Sequence, residues 1–397
     1  MKLRQTAVIG MIALTMGATS SRASAETSLQ PHQYTLALHR LQDQIVEGDK
    51  LAHAAQREML VLMAGEFAKI RIADWQKKRN AEALLIYMLS GGNPDIVDEL
   101  LSIKNKPNLP DGVLSGALEF VLGNYSQAKK LLKPIKADDM SINAGAQVAL
   151  VKATLYAGED PEKAFTLLAK IRLWKPGTLL EEAALRRAVA LAGARKDRKR
   201  FLMWSSQYTR RFEKSFYVPD FIAKFSYYVT ELDFSSKPER MKKVVHVLSH
   251  LSKIQQASVY LTVARAAVVS GNNKQAEFMA RKAQELLKNR PGYSARAMLY
   301  LAASQVASKH QREAIALLTK IDKSLLETKD QKIYDTVRLM IEVIQKKPQQ
   351  QAGQIKETAM ADHNRKPGER QGGQTSAVVA RVQKLIKNAN KLLEANK

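Results

Sequence analysis

Beyond its first thirty residues the chain repeats apolar positions at intervals of three and four, and runs of strict alternation are scarce. That period predicts helices throughout. Prolines fall at the seams between periodic stretches, at Pro94, Pro134, Pro161, Pro176, Pro219, Pro238 and Pro291, and leave the helix interiors with their backbone hydrogen bonds intact. Several seams share one layout: a Gly-Asn or similar polar turn, a short polar step, then a residue followed at +3 and +4 by two apolar ones. Gly92-Asn93-Pro94 leads to Val97, Leu100 and Leu101; Gly123-Asn124 leads to Ala128, Leu131 and Leu132. Gly158-Glu159-Asp160 leads to Ala164, Leu167 and Leu168; Gly271-Asn272 leads to Ala276, Met279 and Ala280; Lys309-His310 leads to Ala314, Leu317 and Leu318.

These anchors lie 31, 36 and 38 residues apart where they are adjacent, and the 112 residues from Ala164 to Ala276 make room for two more near 201 and 239. Phe201 with Trp204, and Met241 with Val244 and Val245, stand there. One helix pair cannot bury its apolar face alone, whereas stacked pairs share a continuous core. The expected fold is therefore all-α, a tetratricopeptide-like solenoid of helix pairs over 26–345. Lys346 to Ser376, with Pro348, Pro367-Gly368 and Gly372-Gly373, reads as a flexible linker. Over 377–397 the stripe Val378, Val382, Leu385, Ala389 and Leu392, opposite Arg381, Lys384, Lys387 and Lys391, predicts a terminal amphipathic helix. Such a helix can fold back as a cap, dock on a partner, or touch an anionic envelope surface.

Met1 to Ala25 has the three-part pattern of a secretory signal: basic Lys2 and Arg4, an apolar run from Ala7 to Ala18, and Ala23-Ser24-Ala25 before Glu26. The run is about 12 residues where a bilayer span needs about 20, so cleavage after Ala25 and export to an oxidising compartment are expected. Charge then changes the picture. The whole chain carries 63 Lys and Arg against 38 Asp and Glu, a net +25, and removal of Lys2, Arg4 and Arg22 leaves the mature chain at +22. There is no cysteine, which excludes disulfides, thiol nucleophiles and Cys-ligated metals.

The cationic surplus concentrates between Arg186-Arg187 and Arg210-Arg211, with Lys196, Arg198, Lys199 and Arg200 between them and Tyr208, Phe212, Phe216 and Tyr217 interleaved. Two readings stand side by side: a solvated face with internal Arg–Glu pairs, or a groove where Arg186, Arg187, Arg210 and Arg211 grip an acidic partner segment, with Tyr208 and Phe212 either as its anchors or, as aromatics more often are, in the core. Chemistry is harder to find. No Gly-rich phosphate loop or nucleophile elbow is present. His246 and His250 share a helix face, but Val247 stands where a zinc protease needs its glutamate. Asp138-Asp139 and Glu181-Glu182 are neighbours along the chain and do not converge across a cleft; in a first turn Glu181 and Glu182 simply complement a helix dipole. No cofactor and no enzymatic activity are expected, and an export signal argues against a nucleic-acid partner.

Four segments carry a resemblance. Gln42 to Asp49, Tyr87 to Pro94, Pro176 to Arg187 (PGTLLEEAALRR) and Gln207 to Phe212 (QYTRRF) are similar, in this order, to the MotC family of periplasmic motility proteins of rhizobia and related alphaproteobacteria. The resemblance implies a protein required for flagellar motor rotation that acts on the periplasmic region of the stator protein MotB. It implies a location and a partner; no site residue comes with it. Without the resemblance, the charge alone fits an envelope scaffold that binds anionic cell-wall or lipid polymers.

Overall fold

The computed structural model describes residues 29–103, 106–235 and 237–361, with side chains described up to 345. The segments 1–28 and 362–397, and with them the signal pattern and the terminal amphipathic helix, lie outside the described residues. Every regular element among the described residues is helical. A hairpin, α1 (Pro31–Val46) and α2 (Lys50–Phe67), and one short turn, α3 (Ile72–Trp75), precede seven helix pairs. The pairs are α4 (Lys78–Leu89) with α5 (Asp95–Ser102), α6 (Val113–Val121) with α7 (Tyr125–Leu132), α8 (Ile142–Tyr156) with α9 (Pro161–Trp174), α10 (Leu179–Ala194) with α11 (Arg198–Arg211), α12 (Val218–Glu231) with α13 (Pro238–Leu248), α14 (Lys253–Val269) with α15 (Asn273–Leu287), and α16 (Pro291–Gln305) with α17 (Gln311–Leu318). A long helix, α18 (Thr328–Ala361), follows.

The chain divides into two compact units, 1–330 and 331–397, with the boundary inside α18. In the second unit α18 runs on through Pro348 to Ala361, so the stretch read as linker begins as helix. Gln349, Gln350, Gln351, Lys356 and Glu357 are good helix formers, and their polarity, which denies the segment a core, does not deny it a helix.

In the first unit every anchor sits on the second helix of its pair and is buried: Val97, Ala128, Ala164, Phe201, Met241, Ala276 and Ala314. The turns before them explain the repeated Gly-Asn. At Gly271 φ is +75°, the Asn272 N–H bonds back to the Ala267 carbonyl at 2.8 Å, and the Asn272 side chain accepts from the Gln275 N–H at the start of α15. One residue thus closes a helix in a left-handed conformation and the next opens the following helix. Gly123-Asn124 repeats the closure. Ahead of α11 the same geometry is built from Lys196 (φ +57°) and Asp197, a costlier residue in that conformation and one no glycine marks.

First helices of successive pairs touch one another, α8 on α10, α10 on α12, α12 on α14 and α14 on α16. α4 is buried nearly all round: Asn80 through Met88 form an unbroken buried run, which a one-sided amphipathic helix would not show. The reason is α1. It packs against α4 and also against α10, while α8 touches both α4 and α10, so four helices from distant parts of the sequence close around one interior.

Close packing leaves no slack at Gly145 of α8, where an added Cβ would lie 2.3 Å from the Ala137 carbonyl oxygen. Gly145→Ala is expected to cost about 1–3 kcal/mol through overpacking. Denaturant unfolding checks this: an unchanged midpoint would contradict the packing described.

Candidate functional site

The six side chains singled out by the sequence meet three different fates. Tyr208 and Phe212 are 0% and 1% exposed and belong to the core. Tyr208 stacks on Phe221 with ring centroids 4.1 Å apart, and its hydroxyl donates to Glu182 Oε1 at 2.8 Å. Neither ring offers surface to a partner. The spacing Phe201, Trp204, Tyr208 and Phe212 is a helical core stripe, and the flanking arginines lie off it.

Arg186 and Arg211 are used inside the fold. Arg186 Nε bonds to both carboxylate oxygens of Glu182 at 2.9 Å, its Nη1 reaches Asp220 Oδ2 at 2.7 Å, and its guanidinium lies 4.5 Å from the centre of the Tyr217 ring. Glu182 is fully buried. Burial pushes its carboxyl up, against the pull of Arg186 and the Tyr208 hydroxyl. For Arg186 desolvation acts downward, yet Glu182 and Asp220 hold the guanidinium above its ordinary value. Lys224 also reaches Asp220, at 3.2 Å, so two cations face two anions and the group is balanced. Arg211 Nη2 pairs with Glu181 Oε2 at 2.8 Å, and that carboxylate also accepts the Gly177 N–H at 2.6 Å, as a first-turn acid does. Sequence reasoning missed the centre of this network. Its signal was the i, i+4 spacing of Glu182 and Arg186.

Arg187 and Arg210 remain. Both are exposed, and neither has a hydrogen-bonded or ion-paired partner among the described residues. Desolvation, then the charge of Arg186, push the Arg187 guanidinium down against the pull of Glu182, and no carboxylate pairs with it among the described residues. In the basic run between them, Arg198 donates to the Leu232 carbonyl at 2.8 and 2.5 Å, and Arg200 forks onto Glu162 at 2.5 and 2.8 Å.

The α1–α2 hairpin covers this region. The Phe216 N–H donates to the Ile45 carbonyl at 3.1 Å, and His53 stacks on Phe216 with centroids 3.9 Å apart. Between α1 and the end of α9, His39 faces Lys175, which bonds to Asn143 at 2.6 Å. Burial, then the Lys175 charge, lowers His39 from 6.5 to about 4, and its Nε2 is buried without a partner. Below pH 6.5 the unfolded chain takes up a proton at this histidine that the folded chain refuses until about pH 4. Its contribution to stability is whole above pH 6.5 and drains away as pH falls to about 4, by up to about 3 kcal/mol. His39→Leu should flatten that part of the acid profile; parallel losses in the two proteins between pH 6.5 and 4 would refute the assignment.

Elsewhere the chemistry is sparse. His246 and His250 are exposed, with ring centroids 6.4 Å apart, and among the described residues no three His, Asp or Glu side chains gather to hold a metal ion. Asp138 pairs with Lys170. No helix among the described residues is long and apolar enough to cross a membrane.

Comparison with known proteins supplies what the geometry alone does not. The profile of a family described as chemotaxis protein MotC matches residues 1–397. A chemotaxis protein MotC of Rhizobium meliloti (strain 1021) is 28% identical over 333 residues, which cover 83% of this chain and 75% of that protein. No solved structure matches the chain. A match over the full length, on a chain whose Pro176–Arg187 segment builds the buried Glu182–Arg186 pair, leaves one conclusion: this protein belongs to the MotC family of chemotaxis and motility proteins.

Proposed function

We propose that the protein is a periplasmic, non-enzymatic motility factor that enables flagellar rotation by binding the periplasmic region of the stator protein MotB. The family match over the whole chain carries this reading. Three features support it. The N-terminal pattern is that of an exported protein; stacked helix pairs offer extended surfaces for another chain; and the +25 charge draws in acidic segments. Of the six residues considered, Arg187 and Arg210 are those whose charge is free for a partner.

Deletion of the gene in the source bacterium tests the reading. Cells should assemble flagella that do not turn, and a plasmid copy should restore rotation only if it keeps residues 1–25. A deletion strain that swims normally, or a copy without 1–25 that restores swimming, overturns it.

A further inference from the structure

We propose that an open pocket lined by α1, α2, α4, α8 and α10 binds a carboxylate, with Arg187 as its counter-charge. The pocket has a volume of about 210 Å³ and is lined by Gln42, Gln56, Ser90, Gln147, Arg187 and Tyr217 together with leucine side chains. Its polar groups are poorly satisfied by one another. Gln42 Nε2 and Gln147 Nε2 both point at one hydroxyl, Ser90 Oγ, at 3.4 and 3.5 Å, the long limit of a hydrogen bond. Gln147 is 95% buried, and its amide nitrogen has no closer acceptor than Ser90 Oγ among the described residues. Amide donors left this way cost free energy that an acceptor on a ligand recovers.

Charge decides the sign of that ligand. Arg186 also lines the pocket, but Glu182 and Asp220 already balance it and the Tyr217 ring is taken by its guanidinium. Arg187 has no such balance. On its other side lies a cleft of about 400 Å³ lined with Ala190, Ala194 and Tyr228, where no anion faces it. One uncompensated cation and several neutral amide donors suit a monoanion, and a guanidinium fork with planar amides suits a carboxylate in particular. A phosphate dianion would leave a charge unmatched. The leucine part of the wall takes a short aliphatic chain. The carboxylate can be that of a free small acid or of a partner's acidic side chain; the second source rests on the function proposed above, whereas the pocket does not.

Butyrate is the probe, with butyramide as its uncharged counterpart, titrated calorimetrically into the full chain at pH 7 and constant ionic strength. Butyrate should saturate one site with a Kd of roughly millimolar order, as one charge-assisted fork provides, and butyramide should not bind. Arg187→Gln should weaken butyrate about tenfold or more, and Gln147→Leu should weaken it by removing a donor; Lys199→Gln, an exposed cation outside the pocket, should not. Should Arg187→Gln fail to fold, Arg187→Lys, which keeps the charge and loses the fork, should also bind more weakly. Equal binding of butyrate and butyramide, no saturable butyrate binding, or wild-type affinity in the Arg187 variants would overturn the site. A second titration, of the periplasmic fragment of MotB with and without saturating butyrate, separates the sources: competition assigns the pocket to the partner's side chain, and independence assigns it to a free acid. A chain that binds butyrate and not the fragment keeps the pocket and loses the proposed function; the reverse result does the opposite.

Discussion

Replacing Glu182 with alanine is expected to lower the free energy of unfolding by about 3–5 kcal/mol, the cost of leaving a buried charge without its partner. The carboxylate is fully buried and joins three helices: Arg186 lies on its own helix α10, Tyr208 on α11, and Asp220 on α12 reaches the same guanidinium. Alanine would strand Arg186 in a poorly hydrated place and leave the Tyr208 hydroxyl without its acceptor. Burial already pushes the Glu182 carboxyl up, so the pair is held at a desolvation cost, and the double variant Glu182→Leu/Arg186→Met should recover most of the loss by removing both charges together. Equilibrium unfolding in denaturant checks both steps. A Glu182→Ala protein within about 1 kcal/mol of wild type would mean that Arg186 finds water, and that the network is a surface pair of ordinary worth.

Substituting alanine for Gly48 should loosen the α1–α2 hairpin from the helices it packs against. Gly48 closes α1 with φ +96°, the Asp49 N–H bonds back to the Gln44 carbonyl at 3.0 Å, and Asp49 then caps α2 through the Leu51 and Ala52 N–H groups. Two penalties add at this position. An L side chain is strained at that φ by about 1–2 kcal/mol, and its Cβ would lie 2.4 Å from the Lys214 carbonyl oxygen, a backbone atom that cannot swing aside. With a further 1–3 kcal/mol or so for overpacking, the hairpin should lift from the 212–217 segment. Limited proteolysis should then cut within 31–67 sooner than in the wild-type chain. Wild-type resistance in that hairpin would show that the Gly48 contact does not hold it.

These contacts mark where the sequence stopped being legible. Helix pairs, their register and the buried anchors could be read from period and turn chemistry, including Phe201 and Met241, found by interpolation alone, because each depends on residues within about forty positions of one another. The seam before α11 was blurred because Lys196 and Asp197 stand where other repeats have glycine and asparagine. Tyr208 and Phe212 carried their core assignment in their own spacing, although the neighbouring arginines suggested a binding face. The Glu182–Asp220 network and the hairpin over Phe216 join residues far apart along the chain, and no local pattern records such pairing. An open groove expected from stacked pairs is therefore occupied, near Arg186, by the chain's own first helices.

The proposed binding of an acidic part of a stator partner draws on Arg187 and Arg210, the two of the six candidate side chains that are left without an ion-paired partner among the described residues. The most direct test is the affinity of the purified chain for the periplasmic fragment of MotB, measured by calorimetry at low salt and at about 0.5 M salt, where the screening length falls to about 4 Å. Wild type should bind saturably and lose affinity as salt rises, and Arg187→Gln/Arg210→Gln should bind at least about tenfold more weakly with unchanged helical content and unfolding midpoint. No binding at either salt concentration, or wild-type affinity in the double variant, would contradict the account.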